Sequence, residues 1–125
     1  MLTHLVRKIR HALRDGLQKR SGHWTKVRAT FLMTNPSCAA CGEIKHLNVH
    51  HVRPFHLHPD LELDPTNFIT LCMSLDCHLL VGHGGNFRAY NPDVVADAAL
   101  ILASTDKAAT LKLVAVSAKA KRLFE

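Results

Sequence analysis

The fold is decided by residues 38–78, which read CAACGEIKHLNVHHVRPFHLHPDLELDPTNFITLCMSLDCH. Near the start of this segment, two residues separate Cys38 from Cys41, the spacing at which two thiolates of one tight turn bind the same tetrahedral ion. Cys72 and Cys77 lie near its end and would supply the other two ligands. The pattern therefore predicts a structural zinc site that is closed by four thiolates and has no open position for catalysis.

The second cysteine pair departs from the usual spacing, because four residues separate Cys72 from Cys77. We therefore expect the chain to bulge outward between them. Gly42 follows the first pair directly and can adopt the positive φ that such a turn often needs. The alternative interpretations are buried free cysteines, since Cys is among the most buried residue types, or two disulfides.

Length, composition and charge favour a single basic domain. The chain has 125 residues, of which 47% are hydrophobic, enough for a modest core. Its net charge of +6, with histidines counted as neutral, fits a polyanionic partner, most simply DNA or RNA. Basic residues interrupt the apolar positions between Met1 and Arg20, unlike in a secretory signal peptide, and no stretch has the length of a membrane span. We expect a cytoplasmic protein with reduced thiols and no membrane segment.

The apolar periodicity predicts helices before the cysteine-rich segment and strands within it. Apolar residues that recur every three or four positions predict a basic amphipathic helix over residues 2–19 and a second helix over residues 24–35. Alternating and β-branched residues predict strands over residues 47–52 and 67–71, and a short helix should follow over residues 75–81.

Two further helices are predicted after the cysteine-rich segment. Asn91-Pro92 before an acidic residue is typical of a helix start, with Asn91 as the cap and Pro92 at the first helical position. This helix should run to about Ala103. Thr105 or Asp106 should then cap a last helix.

Four motifs occur in a fixed order between Ser37 and His83: C-x-x-C, V-H-H-V-x-P, N-F-I-T-L-C and C-H. This order resembles the HNH endonucleases of the ββα-metal (His-Me finger) fold, and LLVGHGGN over residues 79–86 is similar to a bacterial and phage subgroup. The resemblance implies an α+β fold in which a module over residues 37–84 is stapled by the four-cysteine zinc site. A basic helical extension (residues 1–36) and C-terminal helices (residues 85–125) would flank this module within one domain.

The resemblance also implies an activity and a role for each histidine motif. The expected function is metal-dependent hydrolysis of DNA phosphodiester bonds, by nicking or double-strand cleavage, in a prophage or mobile-element setting. His50 would bind the catalytic ion, His51 would act as the general base, Asn67 would orient that base, and His78 would be a second metal ligand. An imidazole with an ordinary pKa near 6.5 is a competent base close to neutral pH.

Two features of the histidine pattern need a structural explanation. Neighbouring residues on a regular strand point to opposite faces, so His50 and His51 can converge on one cleft only if the strand ends or twists there. His83 lies five residues after His78, and it could be a third ligand if Gly82 ends the helix. The alternative is a set of surface or hydrogen-bonded core histidines.

The identity of the catalytic metal stays open at this stage. Neutral imidazoles suit Zn²⁺, Ni²⁺ or Mn²⁺, and a site with open positions for water and phosphate can also work with Mg²⁺.

Basic side chains near the predicted module are candidates for contacts to nucleic acid. We expect Arg53, Arg28 and Lys26 to contact the DNA backbone, although a charged helix face is more often only solvated. The C-terminal helices could form a homodimer contact, and the chain could work beside phage packaging proteins. Two other function classes compete with the nuclease: a catalytically inactive zinc-stabilised DNA-binding module and a zinc-bound protein-interaction domain.

Overall fold

The computed structural model describes residues 3–9 and 19–125. Over these residues the protein is a small α+β structure with two small antiparallel sheets, several helices and a cluster of cysteines. Residues 3–9 are helical and exposed, whereas the part of the predicted basic helix over residues 10–18 lies outside the described residues. The proposed division of the chain into three segments stays a prediction.

The centre of the structure is an antiparallel hairpin of two strands, β1 (Leu47–His51) and β2 (Phe68–Cys72). The register places Leu47 opposite Cys72 and His51 opposite Phe68. All five residues of β2 are buried, so this strand runs through the core. Both predicted strands are confirmed to within one residue at each end.

A long loop joins the two strands and is braced by two short 3₁₀ turns, Pro59–Leu61 and Pro65–Asn67. The carboxylate of Asp64 accepts a hydrogen bond from the backbone N–H of Thr66 at 2.9 Å and so caps the second turn. The loop therefore returns the chain to the start of β2 in a defined conformation.

The helix α1 (Trp24–Thr34) packs against the hairpin through aromatic contacts. The rings of Trp24 and Phe31 make edge contacts with Phe68, with centroid separations of 5.4 and 5.3 Å. The hydroxyl of Thr70 in β2 donates to the carbonyl of Asn35 at 2.9 Å, directly after the helix. The predicted helix is confirmed and ends where the Asn-Pro pair was expected to end it.

The predicted helix over residues 75–81 is wrong in both its start and its type. Residues 73–76 form an exposed turn, with Asp76 at φ 56°, which is the bulge expected from the cysteine spacing. The helical segment is a π-turn, His78–Gly82, in which the N–H of His83 donates to the carbonyl of His78 at 3.1 Å. A π-turn has five residues per hydrogen-bonded turn, a geometry that the apolar pattern does not reveal.

Two helices that contact each other follow, α2 (Val94–Ala103) and α3 (Lys107–Lys121). The short strands β3 (Ala89–Tyr90) and β4 (Leu123–Phe124) lie before and after them and pair in antiparallel fashion. The predicted cap at Asp106 is confirmed, because its carboxylate accepts from the N–H of Ala109 at 3.1 Å.

The predicted capping role of Asn91 is wrong, since α2 begins only at Val94 and the side chain of Asn91 is fully buried. Its amide nitrogen donates to the carbonyl of Val81 at 3.0 Å and to the carboxylate of Asp97 at 2.7 Å. Its amide oxygen accepts from the N–H of Asp93 at 2.9 Å. Asn91 therefore ties the π-turn to the start of α2.

The hairpin and the C-terminal helices share one core, in which Leu71, Val81, Val94 and Ile101 are fully buried beside the cysteines. Val81 belongs to the π-turn, so the histidines on this turn are anchored to the packing of the whole domain. Over residues 3–9 and 19–125, none of the helices combines the length and the apolar content that crossing a membrane requires.

The contact between Gly84 and α3 gives a test of this packing. Gly84 has φ +61°, and a Cβ atom there would lie 2.8 Å from the carbonyl oxygen of Ala118. We expect Gly84→Ala to destabilise the protein by about 2 kcal/mol or more, through backbone strain and displacement of α3. Urea unfolding measures this change.

The matched control is Gly22→Ala, because no heavy atom lies within 4 Å of a Cβ atom at Gly22. Equal unfolding midpoints for the two variants would contradict the packing described here.

Candidate metal centres and the histidine cleft

Four cysteines converge beneath the hairpin and form the four-cysteine cluster: Cys38, Cys41, Cys72 and Cys77. Their sulfur atoms all lie within 4.8 Å of one another, and the sulfurs of Cys41 and Cys72 are 3.5 Å apart. Tetrahedral zinc with Zn–S bonds of about 2.3 Å needs sulfur–sulfur separations of about 3.8 Å. All four are free thiols, so the cluster has the ligand set and the spacing to hold an ion such as zinc.

Backbone hydrogen bonds preform the turn that carries the first pair of thiols. The N–H of Cys38 donates to the carbonyl of Glu43 at 2.8 Å, and the N–H of Gly42 donates to the carbonyl of Cys38 at 2.9 Å. Gly42 has φ +82°, as expected for this knuckle. The N–H of Ala39 donates to the carbonyl of Thr70 at 2.8 Å, which fixes the knuckle to β2.

The acidities of the thiols fit a cluster that needs a cation. A hydrogen bond with Cys77 lowers the pKa of the Cys38 thiol to about 4, whereas burial raises the pKa of Cys41 to about 11. The same hydrogen bond with Cys38, together with burial, raises the pKa of Cys77. One thiolate thus disfavours ionisation of its neighbours, and a divalent cation would offset that repulsion.

Three histidines form a second group, the three-histidine cluster: His50 from β1, His78 from the π-turn, and His83 directly after it. Nε2 of His78 lies 3.2 Å from Nδ1 of His50 and 3.2 Å from Nε2 of His83. Zinc–nitrogen bonds of about 2.05 Å in tetrahedral geometry separate two nitrogens by about 3.3 Å. The nitrogen spacing therefore fits a single metal ion.

The hydrogen-bond inventory of the three-histidine cluster also favours a cation. Nδ1 of His83 donates to the carbonyl of Ala89 at 2.7 Å, so Nε2 of His83 carries a lone pair. Nε2 of His78 has at most one hydrogen, and it can direct that hydrogen well at only one of its two neighbours. An ion shared by the three ligand nitrogens therefore satisfies them better than mutual hydrogen bonds do. The other ring nitrogens of His50 and His78, Nε2 and Nδ1 respectively, are buried and have no hydrogen-bond partner within the described residues.

The π-turn explains how His78 and His83 come together. The hydrogen bond of a π-turn joins residues five apart, and here it joins His83 to His78. A five-residue spacing that would separate the two side chains on an α-helix therefore brings them together on this turn. The helical turn does end at Gly82, but the register of the turn positions His83. A Cβ atom at Gly82 would lie 3.1 Å from Cε1 of His50, so the missing side chain leaves room for that imidazole.

His51 is the last residue of β1 and lies on the opposite face of the hairpin from His50. Its ring packs on Trp24 with a centroid separation of 4.6 Å, and its Nε2 donates to the carbonyl of Glu62 at 2.9 Å. This bond leaves Nδ1 as the nitrogen with a lone pair. Because the strand ends here, His51 and the three-histidine cluster line the same cleft of about 260 Å³, which we call the histidine cleft.

Burial favours the neutral form of His51 and of the three-histidine cluster. Burial lowers the pKa of His50 well below its ordinary value and lowers that of His78 to about 4. Burial also lowers the pKa of His83 and of His51, the latter against the opposing bond to the Glu62 carbonyl. Neutral imidazoles are the form that binds metal ions and accepts protons.

Asn67 closes the long loop behind His51. Its side-chain oxygen accepts from the N–H of Arg53 at 2.9 Å, and its side-chain nitrogen donates to the carbonyl of Arg53 at 3.0 Å. The N–H of Val52 donates to the carbonyl of Asn67 at 2.8 Å. These bonds fix the backbone directly after His51, and the orienting role of Asn67 stays a prediction.

The three predicted nucleic-acid contacts have different surroundings. Lys26 and Arg53 are exposed, whereas the guanidinium of Arg28 donates to the side chain of Asn48 at 2.9 Å. Contact with nucleic acid stays a prediction for all three.

Sequence reasoning did not assign Arg20, Glu62 and Phe87 to the site. Arg20 and Phe87 line the histidine cleft, and the buried carboxylate of Glu62 holds Nε of Arg20 at 3.1 Å. The guanidinium of Arg20 also lies over the rings of Phe55 and Trp24, at 4.5 and 5.2 Å from their centroids. Glu62 is one of three acidic residues in the loop, with Asp60 and Asp64, so the sequence does not single it out, and its burial depends on the tertiary fold.

Comparison with known proteins gives no assignment: no protein-family model matches the chain, and neither do curated protein sequences or solved structures.

Metal analysis of two variants tests the two clusters separately. Cys38→Ser should lose the ion of the four-cysteine cluster together with much of the fold, because binding at structural zinc sites is worth about 10–16 kcal/mol in zinc-finger peptides. His78→Ala should keep that ion and the far-UV circular dichroism of the parent, and should lose only a second, weaker ion. Elemental analysis after dialysis gives the metal content. Loss of all metal in His78→Ala, or full zinc in Cys38→Ser, would contradict this division.

Proposed function

We propose that the protein is a metal-dependent HNH endonuclease that hydrolyses DNA phosphodiester bonds. One observation carries this proposal: the three-histidine cluster and His51, whose Nδ1 carries the lone pair, line one cleft. A metal site and a general base side by side are what phosphodiester hydrolysis needs.

The order of elements supports the ββα-metal fold within this proposal. A hairpin is followed directly by a helical turn. Of the site residues that the sequence resemblance implies, β1 carries His50 and His51, the turn before β2 carries Asn67, and the π-turn carries His78. The four-cysteine cluster staples the ends of the hairpin and of the knuckle, and its closed donor set suits a structural Zn²⁺.

In the proposed reaction, Nδ1 of His51 accepts a proton from a water molecule while the water oxygen bonds to phosphorus. The bond from phosphorus to the 3′ oxygen breaks, the electron pair stays on that oxygen, and solvent supplies its proton. The products carry a 5′ phosphate and a 3′ hydroxyl. His50, His78 and His83 would hold a divalent ion, which when bound would supply Lewis acidity for the negative charge that develops on the phosphate and on the 3′ oxygen.

The chain's own contacts prepare His51 for this step. The Glu62 carbonyl fixes the tautomer in which Nδ1 can take a proton, and the Trp24 ring limits rotation of the imidazole. Asn67 holds the following backbone in place. Lys26, Arg28 and Arg53 are assigned to the phosphate backbone, where their contribution is sensitive to salt and independent of sequence.

Cleavage of supercoiled plasmid tests the proposal. The purified protein is incubated with Mg²⁺, Mn²⁺, Ni²⁺, Zn²⁺ or a chelator, and nicked and linear products are quantified. We expect cleavage that needs a divalent ion and that falls about a hundredfold or more in His51→Ala, the usual contribution of a general base.

The matched control is His58→Ala, because His58 lies in the same loop region and is not among the residues that line the histidine cleft. If His51→Ala cleaves as fast as His58→Ala, the base is wrongly assigned. If no ion supports cleavage while plasmid is still bound, the chain is a zinc-stabilised DNA-binding module instead.

A further inference from the structure

An exposed aromatic ring borders the metal side of the histidine cleft. The ring of Phe87 meets the rings of His83 and His78 at centroid separations of 5.0 and 5.8 Å, in tilted, edge-type contacts. Even so, 53% of Phe87 is exposed. One part of the ring thus packs on the three-histidine cluster, and the rest faces solvent at the mouth of the cleft.

Hydrogen bonds from most of its backbone N–H groups hold the loop that carries Phe87. The N–H of Gly85 donates to the carbonyl of Leu79 at 2.8 Å, and the N–H of Ala89 donates to the carbonyl of Asn86 at 2.8 Å. The side chain of Asn86 accepts from the N–H of Arg88 at 2.9 Å. A ring on such a loop is preorganised, so a ligand that stacks on it pays little additional ordering entropy.

The two sides of the histidine cleft carry different groups. His51 and the held guanidinium of Arg20 both contact the ring of Trp24, whereas Phe87 contacts His78 and His83 of the three-histidine cluster. In an in-line displacement the attacking water and the departing 3′ oxygen are on opposite sides of phosphorus. The nucleotide that keeps the 3′ oxygen therefore lies beside the three-histidine cluster, within reach of Phe87.

We propose that Phe87 is a stacking platform for the base of this nucleotide, so that the preferred substrate is a nucleic-acid strand whose bases are unpaired at the cut. A base inside a duplex already stacks on its neighbours, and only an unpaired base can turn a face to a side chain. The group that stacks on the exposed ring is therefore a nucleobase. The net positive charge of the chain attracts the phosphates attached to it. This inference rests on the proposed nuclease function.

Cleavage rates on matched strands test the proposal. The parent protein, Phe87→Leu and Phe87→Trp are each incubated with Mn²⁺ and with an end-labelled single strand or its full duplex. We expect the parent to cut the single strand about fivefold or more faster than the duplex, and Phe87→Leu to lose about fivefold or more on the single strand. The duplex rate should change by less than about twofold, and Phe87→Trp should keep the single-strand rate, since it retains an aromatic face.

Two controls separate stacking from support of the metal site. Phe124→Leu makes the same change at a ring that is 60% exposed and is not among the residues that line the cleft, and it should cut like the parent. A cobalt titration should give Phe87→Leu and the parent the same affinity for the second ion. Equal losses on both substrates, or failure of Phe87→Trp to keep the single-strand rate, would overturn the proposal.

A binding measurement distinguishes failure of this inference from failure of the nuclease assignment. Fluorescence anisotropy with the labelled single strand, in a His51→Ala background, compares Phe87 with Phe87→Leu. Weaker binding of Phe87→Leu supports the stacking platform even if the parent cuts nothing, in which case only the nuclease assignment fails. If Phe87→Leu binds the single strand as tightly as the parent side chain does, Phe87 is not a stacking platform, whether or not the parent protein cuts.

Discussion

Antiparallel pairing of β1 with β2 holds both candidate metal centres in position. Cys72 lies at one end of the ladder opposite Leu47, and His50 lies near the other end opposite Ile69. A slip of one residue would turn every side chain of a strand to the other face, which would remove His50 from its cluster. The register is in turn locked by the knuckle, because the N–H of Ala39 bonds to Thr70 in the middle of β2.

The π-turn connects the hairpin to the C-terminal helices. Val81 enters the core beside Ile101, while His78 on the same turn faces the cleft. Asn91 bonds to the carbonyl of Val81 from the start of α2, and the guanidinium of Arg122 donates to the carbonyl of Gly84 at 2.9 Å. The helices α2 and α3 are therefore a support for the site and contribute no ligand of either cluster.

Local spacing predicted the parts of the structure that depend on short stretches of chain. The strands, α1, the knuckle at Gly42 and the cap at Asp106 all follow from patterns within a few residues. The same spacing indicated that the cysteines gather in one cluster, whereas the grouping of the histidines was implied by the resemblance. The chemical roles given to these residues, and the membership of the HNH endonucleases, rest on the resemblance and remain predictions.

Tertiary contacts decided the parts that the sequence did not reveal. The π-turn ends at Gly82, which lies close to His50 from a distant segment of the chain. Asn91 has the chemistry of a cap, but burial gives its amide better partners than a helix start offers. The pairing of Arg20 with Glu62, and the position of Phe87 beside the histidines, exist only once the chain has folded.

Position 62 serves the cleft through two chemically independent groups. Its backbone carbonyl sets the tautomer of His51, and its carboxylate holds Arg20. Every amino acid has the carbonyl, but only an acidic side chain forms the ion pair. A substitution at this position can therefore change the ion pair with Arg20, and so the charge at the cleft, while the hydrogen bond that sets the His51 tautomer is kept. The charge at the cleft and the tautomer of His51 can evolve separately.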